Sequence, residues 1–178
     1  MSWLEGGRIQ PLAGSAFGVP WPMGQQAADT TFTLRTPQGK KVPMQTWTTA
    51  TWPDGSLKWT GHAISPDSPA AEHFRIAPGK PTLPRNLVSV EETAEAIFID
   101  TNIIRCEIPR QGETLIKSVK RGDTTILSKG HLCGTRQDSP DPGTPVEAFT
   151  SQIETVEVEQ SGPVRVVVKV DGTHKAEG

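Results

Sequence analysis

The sequence predicts an all-β protein built from small antiparallel sheets. Apolar residues recur at every second position through most of the chain, the period of a half-buried strand. Glycine and proline, 17 and 16 of 178 residues, interrupt the chain often enough to bound short strands and leave little room for helices. An Asp54-Gly55 pair lies between two alternating runs. It is a strong hairpin signal, because glycine takes the positive φ that a tight turn needs.

In chain order, residues 31–36 read as a short strand. Val42, Met44, Thr46, Thr48, Ala50 and Trp52 then fall on one face of an extended segment, with Gln45, Thr49 and Thr51 on the other. After the turn at residues 53–56, Leu57, Trp59, Gly61 and Ala63 alternate with Lys58, Thr60 and His62. Residues 72–77 form another short strand. Three further strand pairs follow: 96–100 with 103–108, 114–119 with 124–127, and 152–159 with 164–170. Their alternating β-branched residues fit a half-buried sheet. The best helical candidate, residues 90–96, is too short to hold a helix alone. Antiparallel hairpins with short turns imply a barrel or a sandwich.

Two segments read as connections. The proline-rich stretch 78–84 marks a domain boundary, giving an N-terminal domain over residues 1–84 and a second over 85–178. Residues 134–145, with three prolines, two glycines and two aspartates, form a long loop. The valine-rich strand stops at Gly172, so the second sheet reads as cut short at Gly178.

Composition excludes several function classes. With 18 basic and 20 acidic residues the formal charge is -2, which gives no electrostatic case for nucleic acid or an anionic membrane. The basic cluster at residues 117–121 reads as the solvated face of a strand. No stretch approaches a membrane span, and the first ten residues, carrying Glu5 and Arg8, lack the apolar run of a secretory leader. A chain starting naturally at Met1 is therefore expected in the cytoplasm. Cys106 and Cys133 have no metal or redox spacing, and Cys106, alternating with Ile104 and Ile108, reads as a buried free thiol. His62, His73, His131 and His174 are dispersed, so no metal site and no cofactor is expected. Asp54, Asp67, Asp100, Asp123, Asp138 and Asp141 mostly occupy turns, where carboxylates cap the local backbone. There is no phosphate-binding glycine loop and no nucleophile elbow.

The tryptophans carry the strongest candidate chemistry, because an indole is a platform for the apolar face of a sugar. Trp52 and Trp59 flank the hairpin turn and read as core anchors. Trp47, opposite the apolar face of its strand, reads as an exposed stacking surface, and Trp21 sits on a rigid proline-flanked loop. His62 and Lys58, on one polar face, form the local pairing suited to an acid–base or sugar-binding patch, with a merely solvated face as the alternative. Trp21, Trp47, Lys58 and His62 are thus the candidate binding residues. No residue is assigned a catalytic role.

Three stretches together carry a resemblance: residues 17–24 (FGVPWPMG), 34–45 (LRTPQGKKVPMQ) and 52–59 (WPDGSLKW). They resemble the N-terminal part of the exo-rhamnogalacturonan lyase-like family, and residues 159–172 (EQSGPVRVVVKVDG) resemble the part that follows. The resemblance implies a small RIFT-type β-barrel followed by the first part of an antiparallel β-sandwich, with a catalytic α/α toroid absent from this chain. It implies a pectic oligo- or polysaccharide substrate, rhamnogalacturonan, cleaved by β-elimination, and the chain's own toroid as its partner. Such a reaction needs a neutralised carboxylate, a base and an acid for the leaving oxygen. Tyrosine, often that acid or base, does not occur in the chain. The expected role is a non-catalytic β-region that shapes or supports the substrate cleft. An independent carbohydrate-binding module and a purely structural interdomain β-domain are the alternatives.

Overall fold

The computed structural model describes residues 14–176 apart from 67 and 70, so the expectations placed on residues 1–10 and on Asp67 lie outside the described residues. Among the described residues the chain is all-β, with fourteen strands and no helix. It divides into two compact units. The first comprises Met1–Leu87 together with the excursion Gly162–Arg165, and the second comprises Val88–Ser161 with Val166–Gly178.

The first unit contains β1 (Ser15–Pro20), β2 (Phe32–Arg35), β3 (Lys41–Val42), β4 (Met44–Thr51), β5 (Leu57–Ile64) and β6 (Arg75–Pro78). They form two antiparallel three-stranded sheets, ordered β1-β5-β4 and β3-β2-β6. Phe32, Leu34 and Val42 from one sheet and Met44, Leu57 and Ile64 from the other close a single core with Phe74. The extended segment expected from Val42 to Trp52 is in fact two strands in different sheets. Pro43 separates them because it has no N–H to give to a ladder, and the next amide, Met44 N–H, donates to Thr82 O at 3.1 Å instead.

The hairpin between β4 and β5 forms as its turn chemistry dictates. Gly55 has φ 82°, and its N–H donates to Trp52 O at 2.9 Å. The Asp54 carboxylate accepts from both the Ser56 N–H (2.9 Å) and the Ser56 hydroxyl (2.6 Å), which holds its pKa below the ordinary value. Lys58 is the extra residue of a bulge, since Ala50 pairs with Trp59 and Thr51 with Leu57.

The second unit contains β7 (Ser89–Glu92), β8 (Ala96–Asp100), β9 (Arg105–Pro109), β10 (Thr114–Arg121), β11 (Thr124–His131), β12 (Cys133–Gln137), β13 (Val146–Gln160) and β14 (Val167–Ala176). A five-stranded meander, β11-β10-β9-β8-β7, faces a three-stranded sheet, β12-β13-β14. Ile97 and Ile108 from the first and Ile153 and Val156 from the second are the buried centre of the sandwich.

Residues 90–96, too short for a helix, instead form strand and turn: β7 pairs with β8, and Thr93 Oγ1 accepts from the Ala96 N–H at 3.0 Å to turn the chain between them. Two expectations are corrected here. Part of the loop expected over 134–145 is β12, paired with β13. Gly172 does not end its strand but sits opposite Ile153 at a register shift, where a Cβ would collide with the Gln152 carbonyl. Pairing continues past it to Ala176.

Arg110 pins the two sheets of this unit together. Its guanidinium donates to Thr93 O (2.9 Å), to Val156 O on β13 (2.8 Å) and to the Glu92 carboxylate (2.7 Å). Replacing it with Met keeps the aliphatic stem and strands two carbonyls. Arg110→Met is expected to destabilise the second unit by about 2 kcal/mol, read as a lower urea midpoint at unchanged m-value.

Candidate functional site

The central strand of the first unit, β5, presents two very different faces. Thr60 and His62 point into the core and are both 0 % exposed. Thr46 Oγ1 lies 2.9 Å from His62 Nδ1, and Thr60 Oγ1 lies 2.7 Å from His62 Nε2. The Trp21 indole N–H donates to the same Thr60 hydroxyl at 2.8 Å. Phe17 stacks on the imidazole (ring centroids 5.3 Å apart), and Phe32 meets it edge-on at 5.8 Å. Burial without a counter-charge pushes the His62 pKa down to about 4. The ring is a neutral core group, not an acid–base catalyst facing substrate.

The polar-face position expected for His62 beside Lys58 is therefore corrected. Alternation on β5 runs the other way: the polar residues are inside, where hydroxyls satisfy the imidazole, and Trp59 and Gly61 are outside. Trp21 joins the same inner cluster. It stacks on Phe32 at 4.8 Å, and its carbonyl accepts from the Trp52 indole N–H at 2.9 Å. Lys58 stays exposed at the bulge, with its ammonium 4.5 Å from the Trp52 ring centroid.

The outer face of this sheet is built on glycine. Gly18 of β1 and Gly61 of β5 are register partners, and Trp47 of β4 is the partner of Gly61 on the other side. A Cβ on Gly61 would run into the Trp47 indole, and one on Gly18 would run into the Trp59 indole. Each indole thus packs directly against a glycine of a neighbouring strand, a position that only a residue without a side chain permits. Trp59, expected as a core anchor, is 43 % exposed on this face. Trp47 faces outward as expected, yet its ring is covered: the Arg165 guanidinium stands 5.2 Å over the centroid.

Gln45, on β4 and buried, positions that arginine. Its side-chain carbonyl accepts from the Val164 N–H (3.0 Å) and the Arg165 N–H (2.7 Å), and a Cβ on Gly162 would strike the Gln45 amide. Trp59, Gln45 and Arg165 were not among the residues expected from sequence. The usable signal for Trp59 lay in Gly18 and Gly61, glycines inside strands with tryptophans nearby in sequence.

Elsewhere the chemistry is structural. Ser151 Oγ lies 2.9 Å from His174 Nδ1, but the serine is buried and donates to Leu132 O at 3.1 Å, so the pair staples β13 to its neighbours. Cys106 and Cys133 are free; burial, aided by the Glu107 charge, raises the Cys106 pKa away from thiolate chemistry. No group of three His, Cys, Asp or Glu side chains suited to a metal ion occurs among the described residues.

Comparison with known proteins matches both units in order. Residues 1–79 match the family model of the PcRGLX-like N-terminal RIFT barrel domain, and residues 88–178 match that of the PcRGLX-like protein central beta sandwich domain. The chain belongs to the PcRGLX-like family. The PcRGLX-like chain is also 30% identical over 178 residues to the "Uncharacterized protein YetA" of Bacillus subtilis (strain 168). That match takes in 98% of this chain and 21% of the relative, so the chain spans about a fifth of that protein's length. The first unit is accordingly the RIFT barrel and the second the β-sandwich.

Two outcomes follow for the barrel. The unfolded chain takes up a proton on His62 near pH 6.5 and the folded chain only near pH 4. The histidine's contribution is complete above pH 6.5 and is lost as pH falls toward 4, by roughly 2–3 kcal/mol. Urea denaturation at several pH values is expected to show this slope in the wild type and not in His62→Gln. Gly61→Ala forces a methyl into the Trp47 ring and is expected to cost about 1–3 kcal/mol, with Trp47 lifted and its fluorescence shifted to the red.

Proposed function

We propose that this chain is the non-catalytic β-region of a longer polysaccharide lyase-like enzyme that cleaves rhamnogalacturonan by β-elimination. In this reading the barrel and sandwich support an α/α toroid and form part of the wall of its substrate cleft. The ordered match of both units to PcRGLX-like domains carries the proposal. The chemistry of the described residues is consistent with it. The titratable groups that sequence singled out are structural: His62 is a neutral core group, Asp54 holds a turn, and Lys58 rests on Trp52. β-Elimination on a uronate needs a base at the α-carbon together with an acid at the leaving oxygen, and this reading puts both on the toroid.

The test compares two proteins on rhamnogalacturonan oligosaccharides, following the ultraviolet absorbance of the unsaturated uronate product. The 178-residue chain alone is expected to give none. The protein extended through the downstream reading frame is expected to give product. Robust turnover by the short chain would overturn the non-catalytic assignment, and an inactive extended protein would overturn the lyase reading.

A further inference from the structure

We infer that the outer face of sheet β1-β5-β4 is a binding site for an acidic oligosaccharide, with Trp59 as the stacking platform and Arg165 as the carboxylate partner. The inference rests on the lyase-family reading only for its choice of galacturonate as the acidic sugar; the site itself is argued from geometry.

Three observations converge. The Trp59 indole is spread over Gly18, with one side against the strand and the residue 43 % exposed. A flat, open indole fixed by the backbone beneath it loses little freedom when a pyranose ring stacks on it. Gly18 and Gly61 are register partners, so the Trp47 indole occupies the next position on the same face, carrying the Arg165 guanidinium above it. A cation therefore stands beside an aromatic platform.

The cation is also held in place and available. Gln45 fixes the Val164–Arg165 backbone through two hydrogen bonds, and the Arg165 guanidinium stands 5.2 Å over the Trp47 ring centroid. Among the described residues Arg165 makes no ion pair, whereas Arg105, Arg110 and Arg136 each have a carboxylate partner. A guanidinium held over an indole by a cation–π contact can still offer N–H groups for the paired hydrogen bonds that a carboxylate accepts. A neutral sugar would satisfy the platform and leave the arginine unused; a uronate uses both. Trp47 is then a positioning residue for Arg165 and not a stacking surface.

The test is a titration of the 178-residue chain, labelled with nitrogen-15, with trigalacturonate and separately with the neutral trisaccharide maltotriose. The Trp59 indole N–H resonance is assigned by its loss in Trp59→Phe. Trigalacturonate is expected to shift that resonance saturably by roughly 10 mM, with maltotriose weaker by at least about tenfold. The indole resonances of Trp21 and Trp52, whose N–H groups are bonded internally, are expected to move little. Arg165→Gln is expected to lower trigalacturonate affinity by about tenfold and erase the preference over maltotriose. Trp59→Ala is expected to abolish binding; if that variant fails to fold, the wild-type resonance and Trp59→Phe, which keeps a smaller ring, still decide the matter. No saturable shift at Trp59, equal binding of the two sugars, or an Arg165→Gln variant that binds like wild type would each overturn the inference. A failed titration beside an active extended enzyme would overturn this inference alone, and binding beside an inactive extended enzyme would overturn only the lyase reading.

Discussion

A buried imidazole held between two hydroxyls organises the barrel unit. His62 reaches no solvent, so each ring nitrogen must meet a protein partner or cost about 1–3 kcal/mol. The partners come from different places: Thr46 from β4, Thr60 from β5 itself, and Trp21, just past the end of β1, from behind Thr60. The ring's faces are taken by Phe17 of β1 and Phe32 of β2. Four strands thus contribute to one side chain's environment. The register of β1-β5-β4 is set accordingly, because a one-residue slip would expose His62 and bury the outer face. Once the inner positions are set, Gly61 and Trp59 have nowhere to go but outward.

The sandwich unit is organised differently. Its centre is aliphatic, with Ile97 and Ile108 facing Ile153 and Val156, and Arg110 together with a backbone bridge between Gly112 and Ile153 supplies polar links between the sheets. Aliphatic packing is non-directional and specifies a face more firmly than a register. Register here is instead fixed by local devices. Asn102 takes φ 63° in the turn before β9, and β13 absorbs two register shifts against β14. A five-stranded sheet facing a three-stranded one also leaves strand area uncovered. β11 is exposed along nearly its whole length, with Ile126 at 59 %.

Much of this was legible in sequence, for reasons that differ by element. The β4–β5 hairpin was readable because Asp54, Gly55 and Ser56 act within a few residues of each other, with no help from the rest of the fold. The strand pairs of the sandwich were readable because their valines and isoleucines alternate and bury one face. What stayed hidden was long-range. Alternation on β5 states that two faces differ and not which one is inside; hydrophobicity favours Trp59 inward, and the structure reverses this because Thr46 and Trp21 wait on the other side. Pro43 looks harmless within an alternating run, yet it hands β3 and β4 to different sheets. Arg165 lies 120 residues from Gln45, and no local pattern marks that contact.

The reversal on β5 also separates what stability explains from what it leaves over. A glycine in mid-strand weakens a sheet by roughly 0.5–1 kcal/mol against alanine. An indole laid across it restores the lost contact, so Trp47 on Gly61 is accounted for by packing alone, with Arg165 completing its cover. Trp59 on Gly18 is not the same case. It contributes contact to the strand below, but Gly18 stays exposed and a large part of the indole still faces water. A smaller apolar residue would cover Gly18 at less cost in exposed apolar surface. Two indoles packed on glycines of one face, one capped by a cation and one left open, make that face asymmetric. The open indole beside a fixed guanidinium that has no ion pair among the described residues is the part of that face that folding does not require.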